Sequence, residues 1–110
     1  MNVCIFCKII NGDFNTDFIY ENEKLVAFND INPQAPTHIL FVPKEHIESL
    51  NELNNTILIK EIYDAIKTVA KEKEISDYRV VLNTGKNAGQ EVMHIHFHML
   101  SGRKLNWPPG

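Results

Sequence analysis

The chain predicts an α+β fold: an antiparallel sheet of about five strands, one long helix and a short N-terminal helix, in one domain over residues 1–110. Three observations carry this expectation. Most apolar runs follow one another without crossover helices, which favours antiparallel pairing, with the helices on one face. Residues 56–73 repeat apolar side chains at helical spacing. Residues 92–100, VMHIHFHML, alternate strictly, as a strand does.

The elements follow in order. Residues 4–11 place Ile5, Phe6, Ile9 and Ile10 at helical spacing, and Gly12 is a natural stop. Phe18–Tyr20 and Leu25–Phe28 read as a hairpin around a polar turn. The segment 30–36, DINPQAP, holds two prolines and excludes regular structure. His38–Val42 reads as a buried strand ended by Pro43. Residues 48–56 read as a loop with a helical turn, and Asn54, Asn55 and Thr56 offer caps for the long helix. In that helix Leu58, Ile62, Ala65, Ile66, Val69 and Ala70 form one stripe. Tyr78–Leu82 is a further strand, residues 83–90 a polar glycine-bearing loop, and the tail Asn106–Gly110 is extended by its consecutive prolines.

Composition narrows the function. Eleven Lys and Arg stand against 14 Asp and Glu, a net charge of −3, so a broad grip on nucleic acid is not expected, while a local phosphate site is allowed. No apolar run approaches the roughly 20 residues of a membrane helix. The N-terminal residues show no cleavable signal pattern, so a cytoplasmic protein is expected. Two cysteines, Cys4 and Cys7, do not make a disulfide scaffold.

The informative feature is His94-Ile95-His96-Phe97-His98. In a strand the three histidines share one face, and Ile95, Phe97 and Met99 anchor the other. Three readings are open: a solvated face, a metal site built on histidines at i and i+2, or a catalytic imidazole held by its neighbours. Chemistry favours the last for His96. A neutral imidazole is an available nucleophile at neutral pH, can attack phosphorus and splits one hard step into two. It needs its second ring nitrogen fixed and donors for the charge on the phosphoryl oxygens.

The pattern H-φ-H-φ-H-φ-φ at residues 94–100, with φ apolar, matches the histidine triad signature. Together with CIFCKIING, AFNDINPQAPTHILFVPKEHI, NTGKNAGQEVMHIHFHML and GRKLNWPPG, it resembles the histidine triad nucleotide-binding (Hint) branch over nearly the whole chain. The resemblance implies an α+β homodimer with a continuous sheet, paired through helix and strand. It implies hydrolysis of purine nucleoside 5′-phosphoramidates through a nucleotidyl-histidine intermediate. By position, His96 resembles the nucleophile, and His98 the histidine on the phosphate oxygen. His94 resembles the residue whose carbonyl orients the nucleophile, and His38 the fourth, assisting histidine. Asp30 resembles the ribose carboxylate, and Ile5, Phe6, Ile9, Phe28 and Ile31 the purine walls. Asn83 and the amides of Gly89, Gln90, Glu91 and Val92 resemble the phosphate contacts, and Trp107 a tail residue reaching toward the partner's site. Many relatives carry serine where this chain has Glu91. A carboxylate beside a phosphate is disfavoured unless turned away, so leaving-group preference is open there.

Other roles stand beside these. Asp30 can cap a turn, His38 can be a satisfied core histidine, Phe28 and Ile31 ordinary core, and Trp107 a local cover. Cys4 and Cys7 have the two-residue gap of a tetrahedral metal site. His46 and His94, least needed for direct chemistry, complete a Cys2His2 set. The resemblance supports structural zinc there, against a reduced buried pair or a redox motif. The leading function is a nucleoside phosphoramidate hydrolase. The competitors are a zinc-dependent hydrolase with catalytic metal on the histidine row, and a non-catalytic nucleotide-binding scaffold.

Overall fold

A computed structural model describes residues 4–110. The expected start of the domain at residues 1–3 lies outside the described residues. The five strands are β1 (Tyr20–Glu21), β2 (Leu25–Asn29), β3 (Thr37–Pro43), β4 (Arg79–Val81) and β5 (Phe97–Ser101). They form one antiparallel sheet in the order β1-β2-β3-β5-β4. Helix α1 spans Ile5–Ile10 and helix α2 Thr56–Glu72. No helix among the described residues is long and apolar enough to cross a membrane.

Local chemistry sets the helix ends. Asn55 caps α2, its side chain accepting from the amides of Ile57 and Leu58. The Cys4 sulfur accepts from the Cys7 amide and caps α1. The stripe Leu58, Ile62, Ala65, Ile66, Val69 and Ala70 is buried, as the periodicity requires. The loop at 48–56 contains a single 3-10 turn, Leu50–Glu52, capped by Ser49.

The helices do not share one face of the sheet. Helix α2 packs with Leu25, Ala27, Ile39, Phe41 and Met99. Helix α1 delivers Phe6, Ile9 and Ile10 to the opposite side, onto Val26, Phe28, Leu40 and Val42. Strands β2 and β3 are thus buried on both faces, which is why LVAF and HILFV are continuous apolar runs rather than alternating ones. Pro43 pairs with Leu25 as the last residue of β3, so it closes the strand from within.

The alternating run at 92–100 is not all strand. β5 begins at Phe97, and His94 and His96 lie before it. The reason is hydrogen bonding from outside the sheet. The Ile95 amide donates to the Ile47 carbonyl at 2.7 Å, the His94 carbonyl accepts from the His96 ring, and the Val92 carbonyl accepts from Gln90. The alternation of faces survives: Ile95, Phe97 and Met99 pack in the α2 core, while His94 and His96 stack edge-on against Phe6 of α1.

Candidate active site and metal cluster

The histidines gather on the α1 face, at the junction of β2, β3, β5 and the segment before β5. Register explains the meeting of His38 and His98. Leu40 pairs with His98 and His38 with Leu100, so the two histidines are diagonal neighbours on one face. Their rings touch, with His38 Nε2 2.9 Å from His98 Nδ1. His96 lies against His98, with ring centroids 4.9 Å apart.

The backbone decides which nitrogens carry protons. A neutral imidazole has one N–H and one acceptor nitrogen. The His94 carbonyl can only accept, so His96 Nδ1 donates to it, at 2.8 Å, and Nε2 keeps a lone pair. The Gln34 amide donates to His38 Nδ1 at 3.0 Å. His38 therefore holds its proton on Nε2 and gives it to His98 Nδ1. The His98 proton is left on Nε2, a buried atom with no hydrogen-bond partner among the described residues. A buried donor without an acceptor costs roughly 1–3 kcal/mol, so this one is set for an anionic or carbonyl oxygen from a ligand. A lone pair on His96 and an N–H on His98 thus stand side by side.

Burial is the first cause that lowers the pKa of His38, His96 and His98. His98 is pushed down to about 4, helped by the charges of His96 and His38. The His94 carbonyl, Asp30 and Glu91 pull His96 back up without reversing the direction. All three rings are neutral at pH 7.

Asp30 both caps a turn and joins the site. One oxygen accepts from the Asn32 amide at 2.8 Å, the other lies 3.4 Å from His38 Nε2. Phe6 and Phe28 are buried and meet edge-on, and Ile9 packs beside them. Ile5 is 41% exposed and Ile31 101% exposed, so neither is a closed wall within one chain. Trp107, 82% exposed, is no local cover. The carbonyl before it, on Asn106, accepts from Arg79 of β4.

The loop at residues 83–90 is tied down from within. Gln90 is 2% exposed and fully used internally. Its amide donates to the Gly85 carbonyl, its side-chain oxygen accepts from the Gly85 amide, and its NH2 donates to the carbonyls of Glu48 and Val92. Gln90 builds the loop. The Gly89 amide is likewise taken by the Lys86 carbonyl, and Asn83 reaches the Gly89 carbonyl at 3.4 Å. The amides of Glu91 and Val92 donate to no described residue. Glu91 is exposed, and its charge favours a proton on His96.

A second cluster lies behind Phe6. Cys4, Cys7, His46 and His94 each bring one ligand atom, all within 4.8 Å of one another. His94 Nδ1 is 3.3 Å from the Cys4 sulfur and 3.5 Å from the Cys7 sulfur, and His46 Nδ1 is 3.3 Å from Cys7. A tetrahedral zinc with Zn–S of about 2.3 Å and Zn–N of about 2.0 Å needs S···N separations of about 3.5 Å. The donor set fits that ion. The Pro43 carbonyl accepts from His94 Nε2 at 2.8 Å, which leaves Nδ1 as the free donor, the outer-shell arrangement of a ligating histidine. Burial pushes the Cys4 thiol up, so a thiolate there calls for a cation. The same residue ties the two sites together: His94 turns its ring to the cysteines and its carbonyl to His96.

Two groups here carry no residue-type signal, because both are backbone: the Pro43 carbonyl and the Gln34 amide. The described residues do not bring the rings of His94, His96 and His98 to one point. The donor groups that do converge are the Cys2His2 set and Asp30, His38 and His98.

The depressed histidines make stability depend on pH. The folded chain binds fewer protons than the unfolded chain, whose histidines titrate near about 6.5. Stability is therefore full above that value and is lost as pH falls from there toward about 4, where folded His98 titrates. Urea midpoints should be flat above about pH 7 and drop by about pH 5; a midpoint unchanged over that range would contradict the buried neutral rings.

The family model described as "Scavenger mRNA decapping enzyme C-term binding" matches residues 3–106. A 14 kDa zinc-binding protein of Zea mays is 48% identical, over 96% of this chain and 87% of that protein. A HIT-like protein of Synechococcus elongatus is 42% identical over 96% of each. Among solved structures, a HIT family hydrolase from Legionella pneumophila superposes with a TM-score of 0.92 at 43% identity, covering 97% of this chain and 99% of that one. A histidine triad protein from Clostridium difficile gives 0.89 at 43% identity, covering 96% of each. With its triad at residues 94–100 and a family match spanning nearly its whole length, the chain belongs to the histidine triad (HIT) family.

Proposed function

We propose that the protein is a nucleotide-binding hydrolase of the Hint type that cleaves purine nucleoside 5′-phosphoramidates through a nucleotidyl intermediate on His96. One observation carries the reading: the His96 Nε2 lone pair stands beside the buried, unpartnered N–H of His98. That pairing suits attack on phosphorus with a phosphoryl oxygen held by the neighbouring donor. The hydrolase named from Legionella pneumophila supports it.

The His96 Nε2 lone pair forms a bond to phosphorus, the P–N bond to the leaving group breaks, and the amine departs with a proton from solvent. The imidazolium so formed keeps its Nδ1–H on the His94 carbonyl, which stabilises the positive charge. His98 Nε2–H donates to the phosphoryl oxygen. Water then attacks phosphorus and loses its proton to solvent, and His96 recovers its lone pair as the nucleoside monophosphate leaves. Asp30 accepts the ribose hydroxyls, Phe6, Phe28 and Ile9 border the purine, and the free amides of Glu91 and Val92 face the phosphate. The Glu91 carboxylate at this mouth favours a leaving amine that carries positive charge.

A catalytic metal on the histidine row has less support. His94 is committed to the cysteines. His38, with Nδ1 accepting from Gln34, would have to give up its only proton to ligate through Nε2. A bare scaffold role leaves the orientation of His96 without a purpose. His96→Ala should lower phosphoramidate hydrolysis at least about 10³-fold with nucleoside monophosphate still bound; a variant retaining a tenth of the activity would overturn the nucleophile.

The Cys2His2 cluster supports structural zinc. The ion would cross-link α1 to the segment before β5 in a closed site that activates no water. The zinc-binding protein named from Zea mays agrees with that reading. Metal analysis of purified protein should find one zinc per chain, lost in Cys4→Ser together with thermal stability. Metal-free protein of undiminished stability would count against it.

The homodimer rests on the exposed side of α2 and on β4, which is an edge strand. Ile59, Tyr63, Lys67, Tyr78 and Val80 line a mostly apolar groove there, and Tyr63 is 57% and Val80 44% exposed. An apolar edge of this kind pairs with a second copy about a two-fold axis and extends the sheet. Light scattering should give twice the chain mass of 12.7 kDa, and Val80→Glu should return it to one chain; a wild-type monomer at micromolar concentration would refute the dimer.

A further inference from the structure

The loop 30–36, which supplies the Gln34 amide to His38, is held from outside the site. Inside the loop, Asp30 accepts from the Asn32 amide and the Gln34 side chain donates to the Asn32 carbonyl. From the chain beyond β5, Arg103 Nε donates to the Gln34 carbonyl at 3.0 Å, while its Nη1 donates to the Lys104 carbonyl. The neighbouring Gly102, at φ +97, lies so close to the loop that an added Cβ would stand 2.8 Å from Pro36 Cβ. Nothing in the candidate chemistry uses Arg103, yet it grips the residue whose amide faces His38.

We propose that Arg103 is a positioning residue for the histidine site: by holding the Gln34 carbonyl it fixes the backbone of that residue, keeps the Gln34 N–H on the preceding peptide unit aimed at His38 Nδ1, and so, together with the Asp30 oxygen near His38 Nε2, sets the proton on Nε2 of His38 and, through it, on Nε2 of His98. Gln34 N–H can only donate, so His38 must accept at Nδ1 and donate at Nε2. His98 must then accept at Nδ1 and present its only proton at the buried Nε2. If the Gln34 N–H turns away, His38 loses its donor at Nδ1, and only the longer Asp30 contact at 3.4 Å is left to hold the proton on Nε2. His98 is then free to carry its proton on Nδ1 and to face the ligand with a lone pair, which repels a phosphoryl oxygen. An exposed arginine on a carbonyl thereby reaches a buried ring through two hydrogen bonds. The same contact explains glycine at 102, since a side chain there would push Pro36 and the loop with it.

This inference rests on the nucleotidyl-hydrolase reading for its catalytic consequence, but its primary readout does not. Long-range 15N–1H spectra of the histidine rings in the full-length protein report the tautomers directly. The wild type should show His38 and His98 protonated at Nε2 and His96 at Nδ1. In Arg103→Ala the His38 and His98 patterns should shift toward a mixture, with His96 unchanged. Hydrolysis of a purine nucleoside 5′-phosphoramidate should lose roughly 10-fold in kcat, the scale of one lost hydrogen bond, at little change in KM. Gly102→Ala, which presses on Pro36, should move the same two rings. A wild-type His38 protonated at Nδ1, or an Arg103→Ala protein with both tautomers and kcat unaltered, would overturn the proposal. Tautomers that respond as expected in a protein that hydrolyses no phosphoramidate would uphold the positioning role and remove the hydrolase reading instead.

Discussion

The hydrogen bond from His96 Nδ1 to the His94 carbonyl is the constraint around which the rest is arranged. In a regular strand that carbonyl points sideways to a neighbouring strand and is spent on the ladder. Here the chain leaves the sheet before Phe97, and the carbonyl turns onto the ring two residues later. The departure needs its own support: the Ile95 amide bound to the Ile47 carbonyl, and Gln90 tying the loop beneath. One residue's irregular backbone thus converts a core histidine into a ring with a defined lone pair.

The cysteine cluster belongs to the same design. His94 cannot both orient His96 and wander. Its ring is held by the Pro43 carbonyl on one side and by two sulfurs on the other. Phe6, on the helix that starts between the cysteines' positions, leans on both His94 and His96. An ion in this cluster would lock α1, the segment before β5 and the His94 carbonyl as one unit.

Much of this was legible in the chain. The stripe from Leu58 to Ala70 sets α2 because burial demands helical spacing, and the alternation Ile95, Phe97, Met99 names the core-facing side beside the histidines. The gap between Cys4 and Cys7 is a direct geometric hint. Other features had a signal that admits a second reading: the unbroken LVAF and HILFV runs state that both sheet faces are covered, yet the strand order suggests helices on one face. The rest was not legible. The break before β5 depends on Ile47, distant in sequence, and Gln90 looks like a polar loop residue until its four hydrogen bonds are in place. The protons on His38 and His98 depend on the β3–β5 register and on the Gln34 peptide, backbone facts with no side-chain code.

The central claim is one of geometry: phosphorus must come within bonding reach of His96 Nε2 while one of its oxygens receives the His98 proton. A crystal structure of the full chain with a non-hydrolysable nucleoside phosphoramidate measures both at once. The account predicts His96 Nε2 in line with the leaving nitrogen and a phosphoryl oxygen within hydrogen-bond distance of His98 Nε2. A nucleotide whose phosphate lies elsewhere, with His98 Nε2 still unpartnered, would contradict it.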